Sequence, residues 1–476
     1  MSFYSVELPY RTDAAHYYAA LADLPWAVWL DSGGMDRFDI LTACPQRTLV
    51  LDRENPHGEP FALLRSELGD PVSPMVNVPF AGGALGYWSY DLMQRMPSLA
   101  NGKEDACQLP DMVIGIYDWA LVLDHQLHTA RLVSHRRFCE TEGLLQRILP
   151  RLKSNPAIPG GNFCVHGKIT SNFTPDSYAR AFTAVKDYLR AGDCYQVNLA
   201  QRFSAAATGD ALSAYLTLRS LSPAPYSAFL SLPQAQILCA SPERFLGVQN
   251  GRVETKPIKG TRPRNSDGRQ DDLLADELRN HPKERAENLM IVDLLRSDLG
   301  KNCAPGSVRV PKLFEVESFA HVHHLVSTVE GRLAETRDAL DVLRDCFPGG
   351  SVTGAPKRRA MQIIDQLEPN CRGIYCGAIG YAGFDGNMDT NIVIRTMVYS
   401  GCDTLLAKPA DCGNSRSPDA IQLKDPCGMF GGRKGEIHCW AGGGIVADSE
   451  MAAEFQETMD KASAMLGLLR HYGGEP

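Results

Sequence analysis

What this sequence lacks narrows it first. No Cys-x-x-Cys pair occurs among its 14 cysteines, and their spacings are irregular. That excludes the common zinc-ribbon and dithiol patterns and reads as free thiols in a reduced, cytoplasmic setting. No stretch approaches the ~20 consecutive apolar residues of a membrane span. The opening Met1-Ser2-Phe3-Tyr4-Ser5-Val6-Glu7 has no basic start followed by an apolar run, so no signal peptide is expected. There is no cationic excess: 48 Lys and Arg stand against 56 Asp and Glu, for a net charge of −8, and the basic residues are spread along the chain. Neither a nucleic acid nor an anionic membrane is expected as a partner. A nucleotide-binding P-loop is missing, because Gly349 and Gly354 have its glycine spacing but Ala355-Pro356 stands where Lys-Ser/Thr is required. No cysteine sits in a Gly-x-Cys-x-Gly elbow, so no glutaminase nucleophile is evident.

What is present is a chain of 476 residues, 44% hydrophobic, long enough to bury a large core and to hold more than one region. Residues 1–165 mix short helices with apolar, β-prone runs such as Ala27-Val28-Trp29-Leu30 and Trp119-Ala120-Leu121-Val122-Leu123. Pro150, Pro156, Pro159, Gly160 and Gly161 punctuate a linker. In residues 170–476, Thr174-Pro175-Asp176 reads as an N-cap with Pro at the first helical position. Tyr178, Phe182, Val185 and Leu189 follow at helical spacing, and Gly192 closes the helix. Further helices are predicted over 283–299, 356–367 with Pro356 as the first residue, and 451–468. Strands are predicted over 195–203, 237–240, 377–384, 388–399 and 437–440. Hairpins interleaved with helices make this an α+β chain.

Several residues could carry chemistry. Glu284 and Glu287 are three apart in a helical segment, and Glu454 and Glu457 repeat that spacing. Each pair shares one helix face. Taken alone, such a pair is ordinarily a solvated surface; two such faces brought together would suit Mg²⁺. His321-x-His323-His324 lacks Cys or carboxylate partners at ligand spacing and is not read as a zinc site. Glu243, in Ser241-Pro242-Glu243-Arg244-Phe245, is either a catalytic carboxyl or the partner of Arg244. Lys259, in Lys256-Pro257-Ile258-Lys259-Gly260-Thr261, is either a surface charge or an amine nucleophile, and to attack it must be neutral.

Taken together, these motifs, with Pro348-Gly349-Gly350-Ser351-Val352-Thr353-Gly354-Ala355-Pro356-Lys357, resemble the chorismate-utilising enzymes, the anthranilate synthase component I superfamily. A lysine at the place of Lys259 marks the aminodeoxychorismate synthase component I branch, chorismate-aminating enzymes of the transaminase class. The resemblance implies two large antiparallel β-sheets packed together with helices outside. It implies Glu243 as general acid and base, His324 beside the ring, and Lys259 adding at C2 of chorismate before ammonia enters at C4. Arg395 and Tyr375 would hold the substrate with Thr353, Gly354, Gly442 and Gly443. Glu287 and Glu457 would approach Mg²⁺ most closely, with Glu284 and Glu454 acting partly through water. Gln196 stands where water-using relatives carry a lysine, which fits an ammonia user. A separate glutamine amidotransferase subunit would supply the ammonia for this step of 4-aminobenzoate and folate synthesis.

Leu30-Asp31-Ser32, Arg37, Phe38, Pro225 and Tyr226 resemble a tryptophan-binding segment of related chains; a strand end and turn is the plainer reading. Where the family turns tightly between two strands, residues 401–434 intervene as an atypical insertion, expected to be disordered. Two alternatives stand beside the aminating enzyme: an anthranilate synthase component I, disfavoured by Lys259, and a catalytically silent protein that binds chorismate or tryptophan.

Overall fold

The computed structural model describes residues 3–52, 59–95, 103, 105, 107–154, 156–158, 160–319, 322–400 and 434–473. The insertion over 401–434, apart from Lys434 at its end, and His321 therefore lie outside the described residues.

Two antiparallel sheets, of twelve and ten strands among the described residues, form the body. Both draw strands from each half of the chain. In the larger sheet, Ala27–Asp31 pairs with Tyr226–Ser231, which pairs in turn with Ala235–Ser241. In the smaller, Gly83–Trp88 pairs with Ala378–Gly383. Strand periodicity explains how one sheet serves two cores. Val28 and Ile40 point into a core shared with Leu85, Ile114, Leu246 and Ile379 of the smaller sheet. Their neighbours Trp29 and Leu41 point the other way, onto Leu212, Tyr215 and Leu218 of helix Ala211–Leu221 and Leu466 and Leu469 of helix Met451–Gly473. The helices thus lie outside, as expected. No helix among the described residues is long and apolar enough to cross a membrane.

Helix Pro175–Arg190 shows why local sequence sufficed there. Thr174 accepts from the Ser177 N–H, Ser177 answers the Thr174 N–H, and Tyr178, Phe182 and Val185 are buried. The cap contributes about 1 kcal/mol, and truncating Phe182 to Ala would cost about 3–5 kcal/mol.

Two predicted elements need correction. Residues 388–399 do not form one strand: Met388–Ile392 belongs to the smaller sheet and Thr396–Ser400 to the larger. The chain crosses between sheets through Arg395, whose φ of 52° lies in the left-handed region. Pro356 is the N-cap of helix Lys357–Leu367, not its first residue, with extended ψ of 139°.

Candidate active site

Lys259 lies on Ile258–Pro263, a strand at the end of the smaller sheet. Lys259 pairs with Leu325 and Thr261 with His324, so Gly260 is the extra residue of a β-bulge. Gly260 has φ 78°, and a Cβ there would lie 2.9 Å from Glu284 Oε2. The backbone therefore favours glycine, and any larger residue would also push the Glu284 carboxylate aside. The bulge delivers the Lys259 amine to the Gly350–Val352 turn, where Nζ donates to the Ser351 carbonyl at 3.2 Å.

Glu243 meets the same residue. Its carboxyl is 5% exposed; burial pushes its pKa upward, opposed by a hydrogen bond from Ser351 and by the positive charge of Lys259. Arg244 does not pair with it, because that guanidinium is taken by Asp389 at 2.8 Å and Glu254 at 2.8 Å. The salt-bridge reading of Glu243 is thereby corrected. A buried carboxyl whose pKa is raised is better suited to donate a proton than an exposed one.

His324, on the strand paired with that of Lys259, lies near Arg395. Burial and the nearby Arg395 push His324 down to about 4, so its ring is neutral near pH 7. Nδ1 of that ring lies 2.9 Å from Thr261 Oγ1. Arg395 is itself depressed by burial, and among the described residues no carboxylate pairs with it. A buried guanidinium without an anion is costly unless a ligand supplies one. Tyr375 lies near Arg395 and stacks on Trp440 at 6.0 Å between centroids.

The four glutamates come together between helices Pro282–Gly300 and Met451–Gly473. Glu454 is 2% exposed and accepts from Ser449 Oγ at 2.6 Å, yet its Oε2 has no hydrogen-bond partner. A Cβ on Gly443 would lie 3.0 Å from that oxygen and 3.7 Å from Glu457 Oε1, so the glycine strand leaves both carboxylates open. Burial raises the pKa of Glu287, against Lys259 and Lys283. For Glu457 burial acts in the same direction, but Lys461, Lys259 and Lys283 outweigh it and lower the pKa. Glu284 turns partly toward Arg262, at 3.7 Å. No three acidic, His or Cys groups among the described residues stand close enough to cage a metal unaided. Mg²⁺ seldom uses such a cage; it takes one or two carboxylates, waters and substrate oxygens. The orphaned Glu454 oxygen and the open Gly443 face fit that habit.

Thr353 and Gly354 flank the same turn: Thr353 Oγ1 donates to the Gly349 carbonyl at 3.1 Å, and Gly354 pairs with Val197 beside Gln196. Gly442 and Gly443 pair with Ala200 and Leu199.

A family model described as chorismate binding enzyme matches residues 27–407 and 429–467. The chain belongs to this family. It is 45% identical to aminodeoxychorismate synthase component 1 of Escherichia coli, over 97% of this chain and 97% of that one. Its identity to the protein of the same name from Klebsiella aerogenes is 43%, over 97% and 98%. Among solved structures, anthranilate synthase component I of Streptococcus pneumoniae superposes with a TM-score of 0.75 at 32% identity, covering 90% of this chain and 92% of that one. The break in the family match between 407 and 429 falls inside the unexpected segment 401–434.

Three residues of the site escaped the sequence reading. Ser351, between Glu243 and Lys259, lay within a quoted motif but carried no role of its own. Lys283 and Lys461 reach the carboxylates, Lys461 at 2.6 Å from Glu457 and 3.1 Å from the Gly442 carbonyl. The Glu457-to-Lys461 spacing of four, a helix-face pair, was the available signal.

The second predicted pocket is a cavity of about 360 Å³ between the sheets. Leu30, Arg37, Phe38, Pro225 and Tyr226 line it; Ser32 does not. Ser32 instead shapes the turn, its N–H donating to Asp39 at 2.7 Å and its Oγ accepting from Gly34.

Proposed function

We propose that this chain is an aminodeoxychorismate synthase component 1, converting chorismate and ammonia to 4-amino-4-deoxychorismate. The observation that carries the reading is the Lys259 amine, delivered by a bulge to Ser351, which also bonds Glu243. The full-length likeness to relatives of that name supports it.

Arg395 takes a substrate carboxylate, the ligand its buried charge lacks. Tyr375, near Arg395, and the glycine strand would complete the substrate clamp. Lys259, having lost a proton, adds to C2; the C1–C2 π electrons shift to C1–C6, those of C5–C6 shift to C4–C5, and the C4 hydroxyl leaves as water with a proton from Glu243. Ammonia then adds at C4, the two double bonds shift back to C5–C6 and C1–C2, and the C2–N bond to the lysine breaks. Neutral His324, beside Arg395, orients the ring without adding a second positive charge. Glu287 and Glu457, with Glu284 and Glu454 acting partly through water, would hold Mg²⁺, which would neutralise substrate carboxylate charge. The free thiols of the described cysteines fit a cytoplasmic setting. A separate glutamine amidotransferase is the proposed ammonia source, since the sequence holds no nucleophile elbow. The cavity beneath Phe38 and Tyr226 is proposed to hold tryptophan, whose ring would lie on the aromatic wall near Arg37.

The test is incubation of the purified chain with chorismate, Mg²⁺ and ammonium salt, the products separated by chromatography. 4-Amino-4-deoxychorismate is expected. Anthranilate as the sole product would assign the chain to the anthranilate branch, and equal efficiency with glutamine would remove the need for a partner.

A further inference from the structure

Lys283 is the residue of this site that neither the chemistry nor the substrate accounts for. It opens helix Pro282–Gly300, one position before Glu284. Its Nζ lies 3.4 Å from Glu454 Oε1 on the other helix and 3.9 Å from Glu287 Oε1 on its own. The ammonium therefore ties together two of the carboxylates proposed to hold the metal, across the seam between their helices. It also acts electrostatically on Glu457.

The cluster needs such a charge when no metal is bound. Glu454 is buried, Glu287 is nearly so, and like charges this close repel. Lys461 answers Glu457, and Lys259 is committed to the Ser351 turn. While Lys259 acts on Glu287 and Glu457 only at longer range, among the described residues Lys283 makes the ion pairs that span the two helices. Its side chain is 40% exposed, so it has room to swing outward on its four-carbon stem. The open Glu454 Oε2, facing Gly443, marks where a cation with more charge can enter.

We propose that Lys283 is a resident counter-cation: it holds Glu287 and Glu454 together in the metal-free chain and must be displaced when a divalent ion binds. Metal affinity is then set as a competition, weakened by the ammonium it must expel. This rests on the metal reading given above and goes beyond it by naming the residue that tunes the site.

The experiment measures binding directly, without turnover. Mn²⁺ is titrated into the full chain and followed by the electron paramagnetic resonance signal of the free ion, with Mg²⁺ as competitor. The parent, Lys283→Met and Lys283→Arg are compared, and thermal melting is recorded with and without chelator. Lys283→Met is expected to bind Mn²⁺ and Mg²⁺ about tenfold tighter or more, since a like charge has left the site. Its melting temperature in chelator should fall, and saturating Mg²⁺ should raise it by more than in the parent. Lys283→Arg, which keeps the charge, should bind with affinity near the parent's. Unchanged or weaker metal binding in Lys283→Met, with the parent binding normally, would overturn the counter-cation role and leave the metal site standing. No saturable binding by the parent would overturn both. Should Lys283→Met not fold in chelator, its refolding on Mg²⁺ addition supports the proposal, and failure to refold with metal counts against it.

Discussion

Replacing Arg395 by Met separates a binding cation from a structural one. The guanidinium is buried, its charged form is disfavoured by that burial, and no described carboxylate answers it. A structural arginine would be paired, and its loss would destabilise the fold. An arginine awaiting substrate behaves in the opposite way: its removal relieves an uncompensated buried charge, stabilising the free chain by about 1–3 kcal/mol. At about 2.1 cal/mol/K per residue, 476 residues give an unfolding entropy near 1.0 kcal/mol/K, so each kcal/mol moves the melting temperature by about 1 °C. A rise of about 1–3 °C is therefore expected. Chorismate binding should lose about 2–5 kcal/mol, the usual result of deleting one partner of a buried charge pair. That is about 30-fold to a few thousand-fold in affinity. Trp440, stacked on Tyr375, gives an intrinsic fluorescence titration, and differential scanning fluorimetry gives the melting temperature. Arg395→Lys should lose most of the same affinity, because an ammonium lacks the planar fork. A variant that melts lower and binds chorismate as the parent does would refute the reasoning.

Two further outcomes are expected. Lys259→Ala should lower the rate of 4-amino-4-deoxychorismate formation by about 10³-fold or more while chorismate still binds. Mass spectrometry of the parent with chorismate and no ammonia should find an adduct on the Lys259 peptide, and a normal variant rate with no adduct would end the covalent mechanism. His324, held down to about 4 against an ordinary 6.5, binds fewer protons folded than unfolded. Its contribution to stability, on the order of a few kcal/mol, is present above about pH 6.5 and lost as pH falls toward 4. Melting temperature should therefore fall less steeply across that window in His324→Gln, and identical slopes would show that the histidine does not titrate this way.

Which parts were legible follows from how far each signal reaches along the chain. Helix Pro175–Arg190 carried its own cap and apolar stripe, and the paired glutamates announced a shared face by spacing alone. Helix Gly268–Asn280 buries only Asp271 and Leu278, so it has almost no apolar period to read. The break at Arg395 was hidden because Ile392, Val393 and Ile394 before it and Thr396, Val398 and Tyr399 after it all favour strand. Ser351 and Lys283 gained meaning only from partners distant in sequence, Glu243 and Glu454, which no local pattern reports. The family resemblance supplied the roles that spacing could not.

The sheet crossover at Arg395 has a consequence for how such a site can diversify. Arg395 sits where one strand of the smaller sheet ends and one of the larger begins, pinned by Ala240 N–H donating to its carbonyl at 3.1 Å. Moving it would shift the register of both sheets at once, and a one-residue slip turns every side chain to the wrong face. Lys259 is placed differently, on a bulged strand at a sheet margin, where its backbone pairs with one neighbouring strand. If Arg395 grips the dianionic substrate and Lys259 decides which bond is made, as proposed, the first is fixed by two sheets and the second by one strand pair. A new reaction on the same molecule would be sought at the margin, by exchanging the group at Lys259, with the anchor left untouched.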